Sequence, residues 1–134
     1  MNQCATDEFL TIVIASDDYE KIVHCNNSLD QSSKYNYCVI AALTTKQGIA
    51  LTQAHQPNCI VIDTALIDDT LLNTLSERFR NMPVIFITNE NNTELTDKLS
   101  IKGFTHSITV QNIDNDGLHN AIQFAIKDAP NTKP

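Results

Sequence analysis

Apolar, mostly β-branched positions recur along the chain in short runs: FLTIVIA (9 to 15), YCVIAAL (37 to 43), CIVI (59 to 62), VIFIT (84 to 88) and a weaker FTHSITV (104 to 110). Runs of this length and composition predict five strands. CIVI lacks polar alternation, which predicts a strand buried on both faces. Between the runs the apolar residues take helical spacing. Asp17 or Asp18 is placed to cap a first helix with Ile22, Val23 and Leu29 inward, and Thr45 to cap a second with Ile49, Ala50 and Ala54 inward. A third helix is predicted through Leu71, Leu72, Leu75 and Phe79, a fourth through Leu95 and Leu99, and a fifth through Leu118, Ile122 and Ala125. The segment Asn26 to Tyr37, rich in Asn, Ser and Gln, reads as a frayed helix end and a loop.

Alternating strands and helices predict an α/β fold with a parallel sheet covered on both faces, because parallel neighbours need long crossovers. Such sheets carry their sites beyond the carboxyl ends of the strands. Asp17, Asp63, Thr88 and Val110 all fall at predicted carboxyl ends. A carboxylate directly after CIVI therefore faces the crevice where this class of sheet works.

Composition narrows the functions. The chain has 134 residues, enough for one domain with its own core. A net charge of -7 without a Lys/Arg cluster argues against direct nucleic-acid binding. No apolar run is long enough to span a membrane, and the acidic start MNQCATDE does not resemble an export signal, so a cytoplasmic location is expected. Cys4, Cys25, Cys38 and Cys59 form no C-x-x-C pair and are expected mostly as small buried apolar groups. The histidines His24, His55, His106 and His119 are dispersed, which argues against metal ligation. With only three glycines and no G-x-S-x-G, neither a phosphate cradle nor a hydrolase elbow is present.

Taken in order, IVIASDDYE, PNCIVID, MPVIFIT and KGFTHSITV resemble the receiver domain of bacterial two-component response regulators. The resemblance runs from about Phe9 to Asp128. It implies a flavodoxin-like, doubly wound (βα)5 sheet with strand order 2-1-3-4-5, an N-terminal tail over 1–8, and a linker-like tail over 129–134 leading to an output domain. It also implies Asp63 as phosphoacceptor, Thr88 as switch hydroxyl, and magnesium held by Asp17, Asp63 and the backbone carbonyl of Ala65. Partners implied are a histidine kinase or phosphotransfer protein and a second copy docking through helix 4, strand 5 and helix 5, where Phe124 is a candidate exposed contact.

Departures from the pattern matter equally. Ser16 replaces the first of two acidic residues, and Val110 with Gln111 replaces the lysine and proline after strand five. Ser107 stands at the aromatic switch position, Ile67 replaces a proline, and Asn89 replaces a small residue beside Thr88. Without the lysine, Asp17 and Asp63 still sum to minus two, so weak magnesium binding is expected while efficient phosphotransfer is not. Three readings follow: an atypical, non-enzymatic receiver acting through protein contacts, a receiver still phosphorylated on Asp63, and a small-ligand sensor using a crevice lined by Val110 and Ile67.

Overall fold

In the computed structural model, residues 9–32, 36–89 and 93–128 are described. Five apolar runs become five parallel strands: β1 (Phe9–Ala15), β2 (Asn36–Ala42), β3 (Cys59–Asp63), β4 (Val84–Thr88) and β5 (Ser107–Thr109). Their order is β2-β1-β3-β4-β5, with Ala15 opposite both Ala42 and Ile62 and Asp63 opposite Ile87. The helices are α1 (Tyr19–Ser32), α2 (Thr45–His55), α3 (Asp69–Arg78), α4 (Thr93–Ile101) and α5 (Gly117–Asp128). The expected α/β sheet and its strand order are therefore observed. Both tails, 1–8 and 129–134, lie outside the described residues, as does the link that the second was expected to form.

Strand parity divides the core in two. Ile12, Ile14, Cys59, Val61, Ile85 and Ile87 face α1 and α5, packing with Ile22, Cys25, Leu29, Leu118 and Ile122. The alternate residues Ile60, Ile62, Val84 and Phe86 face the other way, onto Ile49, Leu71, Leu72, Leu75 and Leu99. A two-sided strand has no polar face to show, which is why β3 and β4 are buried throughout.

Several local expectations are corrected. The segment around Asn26 is not frayed: α1 continues to Ser32 and buries Ser28, whose hydroxyl donates to the Ile113 carbonyl at 2.7 Å. That bond gives an apparently polar helix end an inward anchor. Val23, Ala50 and Ala54 are exposed, because Ile22, Cys25 and Leu29 form the inward stripe of α1 and Gly48 with Thr52 that of α2. Thr44, not Thr45, caps α2 by accepting from the Gln47 amide at 3.0 Å. β5 has only three residues, and Val110 begins a 3-10 turn (Val110–Asn112). Cys25 and Cys59 are free and buried as expected, but Cys38 is disulfide-bonded. Cys4 lies outside the described residues.

Entry into α5 is tightly built. Asn115 and Asp116 are both left-handed (φ 58° and 68°), and a Cβ on Gly117 would come within 1.7 Å of the Asn112 carbonyl oxygen. Only glycine fits there.

Candidate functional site

Asp63 ends β3 with its side chain on the parity of Cys59 and Val61, and so turns toward the α1 side of the sheet. It is 1% exposed. Its Oδ1 accepts from the Ala65 amide at 3.0 Å, which caps the short 3-10 turn Thr64–Leu66. Its Oδ2 accepts from the Ser16 hydroxyl at 2.7 Å and from Lys21 Nζ at 3.0 Å. The same Ser16 oxygen accepts from the Asp18 amide at 3.0 Å, while the Asp18 carboxylate accepts from the Glu20 amide and caps α1.

Burial pushes the Asp63 carboxyl up. The Ala65 amide, the Ser16 hydroxyl, and the Lys21 hydrogen bond and charge outweigh it and hold the group below the ordinary carboxylate range. Cys25, one turn beyond Lys21 on α1, is fully buried; burial and the nearby Asp63 charge push its thiol up to about 12, against an opposing pull from Lys21. A thiol in that state is not a nucleophile at neutral pH.

Of the residues implied by the family resemblance, Asp63 is where it was expected, at the carboxyl rim. Asp17 sits on the same rim, between Ser16 and Asp18, but its side chain is exposed and makes no bond to Asp63 among the described residues. Thr88 ends β4, buried, opposite Thr109, and no hydrogen bond joins it to Asp63 among the described residues. Asn89 beside it is exposed. Val110 packs, partly buried, against the α1–α5 core and Ile67 against the opposite one. Among the described residues, no group of three or more His, Cys, Asp or Glu gathers to hold a metal.

The expectation of a rim without a positive side chain is overturned. Lys21 reaches Asp63 from α1 rather than from β5, and its side chain is only 15% exposed. Its signal in the sequence was faint: Lys21, Cys25 and Ser28 share a helix face with Ile22 and Leu29, but the apolar positions drew the stripe and a lone lysine three residues past a cap reads as solvated.

No family model matches the sequence, and no curated protein matches it. Solved structures do. The receiver domain of NtrX from Brucella abortus aligns with a TM-score of 0.75 at 17% identity, covering 88% of this chain and 99% of that one. The fold is the receiver fold. The chemotaxis response regulator CheY4 of Vibrio cholerae aligns with a TM-score of 0.73 at 14% identity, covering 87% and 98%. A longer NtrX chain from Brucella abortus aligns at 15% identity with a TM-score of 0.71, covering 87% of this chain and 26% of that one. At identities this low the likeness carries the receiver fold and leaves the chemistry to the residues themselves.

Proposed function

We propose that this chain is a receiver-type signalling module that works mainly through protein contacts, with phosphotransfer to Asp63 subordinate or lost. The observation that carries this reading is the Asp63 carboxylate itself, which accepts hydrogen bonds from Ser16, Lys21 and Ala65 at once. Attack on a phosphodonor needs a carboxylate oxygen free to approach phosphorus, and Oδ2 already carries two donors. After β5, Val110 packs partly buried against the core and Gln111 is neutral, so neither offers a cation to an incoming phosphoryl group from that side.

Contacts have a candidate surface. Phe124 on α5 is 65% exposed and meets the His106 ring edge-on at 5.5 Å, and Ile101 at the end of α4 is 86% exposed. These flank β5, the face through which the resemblance implies a second copy would dock. The share of the longer NtrX chain covered here, 26%, supports a receiver that regulates a linked output domain. No helix among the described residues is long and apolar enough to cross a membrane.

The alternative, a receiver phosphorylated on Asp63 by a histidine kinase or phosphotransfer protein, requires Lys21 to leave and Asp17, Asp63 and the Ala65 carbonyl to take magnesium. Beryllofluoride with magnesium separates the two. Amide signals of Ala65 and Thr88 are expected to stay in place while association grows with protein concentration; shifts centred on those residues, without association, would favour the phosphorylatable receiver.

A further inference from the structure

The receiver fold implies a magnesium ion at this rim, and with Lys21 in place the donors present do not suit one. Magnesium wants hard oxygen ligands with unshared pairs pointing at a common centre. Of the Asp63 oxygens, Oδ2 holds the Ser16 hydroxyl at 2.7 Å and the Lys21 ammonium at 3.0 Å, and Oδ1 holds the Ala65 amide at 3.0 Å. Ser16, where the family places a carboxylate, faces inward as a proton donor, and its own oxygen is occupied by the Asp18 amide. Asp17 is exposed.

From this arrangement we infer that Lys21 is the resident cation of the Asp63 pocket, taking the place of a divalent metal and leaving the domain magnesium-independent. The inference deepens the receiver-type reading and rests on it only for the expectation that a cation belongs at this rim. Asp63 is buried and would otherwise carry an unbalanced negative charge, a state that proteins avoid by pairing or by metal. The ammonium balances Asp63 itself and leaves the exposed Asp17 as the remaining charge of the Asp17–Asp63 pair, so the electrostatic demand that would draw a divalent ion onto Asp63 is lowered from within.

Position supports the assignment. Lys21 is the third residue of α1, a helix whose start is fixed by the Asp18 carboxylate on the Glu20 amide and by the Ser16 oxygen on the Asp18 amide. The ammonium is therefore delivered by a short, anchored stretch of backbone rather than by a loose surface arm. The face of α1 that carries it continues into Cys25, fully buried, and Ser28, so the alkyl stem runs over packed surface and keeps 15% exposure. Lys21 approaches from α1 onto the oxygen that Ser16 also holds, so a metal seated on Oδ2 from the α1 side would meet the ammonium at close range.

Magnesium chloride alone is the probe, added to the whole chain and to Lys21→Met and Lys21→Ala variants, with backbone amide shifts and melting temperature as readouts. In the wild-type chain, magnesium at about 10 mM, a concentration at which a weak exposed oxygen site would begin to fill, is expected to leave the Ala65 and Ser16 amides and the melting temperature unmoved. Either variant is expected to gain saturable magnesium shifts at those amides, with an affinity roughly tenfold or more above any the wild-type chain shows. Saturable shifts in the wild-type chain centred on Ala65 would overturn the inference, and so would a folded variant that stays silent to magnesium. If both variants fail to fold, the wild-type titration still decides. Failure here would leave the self-association test untouched, and failure there would leave this one untouched, so the two readings fall separately.

Discussion

The two halves of the carboxyl rim are built to different standards. At the β1–β3 end, Ser16 and Asp63 are 2% and 1% exposed, and three donors converge on one carboxylate. At the β5 end the strand is three residues long, none of them fully buried, and it passes straight into a 3-10 turn. The chain invests its polar precision at one end and leaves the other as a packed edge. Chemistry in a receiver fold needs both ends, one for the carboxylate and one for the opposing cation. Here the cation that meets Asp63 comes from α1, on the carboxylate's own side of the rim, and under the proposed reading the β5 side serves recognition.

The sharpest way to break this contrast is to weaken the centre that supports the rim. Phe86 is fully buried in β4 and meets Phe104 edge-on at 5.5 Å, and Phe86→Ala is expected to cost about 3–5 kcal/mol in chemical denaturation. Lys21→Met comes next. It strands a buried carboxylate, and because the ammonium keeps some solvent contact the loss is expected at the lower end of the buried-pair range, about 3 kcal/mol. A loss below the noise of the urea midpoint would mean that the pair is not formed in solution. Ser16→Ala removes one donor and leaves two, for an expected cost of about 1–2 kcal/mol by the same measurement.

Acid sharpens the comparison further. Asp63 has a lowered value in the folded chain, so the unfolded state binds the proton more readily, and the stability this carboxylate contributes is present above its unfolded value and lost as pH falls through the folded one. Lys21→Met removes a source of that lowering, and its acid-unfolding midpoint is expected at higher pH than that of the wild type. An unchanged midpoint would separate the pair from acid stability. The smallest stability effect belongs to the β5 side: Phe124→Ser is expected to change the unfolding free energy by no more than about 0.5 kcal/mol while weakening self-association in sedimentation.

Much of this was legible before any coordinates. Five strands, the two-sided burial of β3 and the placement of Asp63 at a strand end follow from period, length and alternation, all of which are local and strong, while the strand order comes from the family resemblance. Ser28 shows where that legibility ends: its place inside α1 depends on a carbonyl 85 residues away. Lys21 was missed for the same reason, since its meaning lies in a carboxylate 42 residues further on and nothing in its neighbours marks it. Long-range polar pairs between residues of ordinary type leave no periodic trace.

One consequence lies at the doorway to α5. Two successive left-handed residues and a glycine wedged against a carbonyl act as a keyed joint, and each non-glycine residue held there costs about 1 kcal/mol or more. Rolling α5 about its own axis would require all three residues to surrender their conformations together. The outward aim of Phe124 is thus decided at positions 115–117, well before the aromatic ring itself, and a partner that meets this ring finds it already pointed.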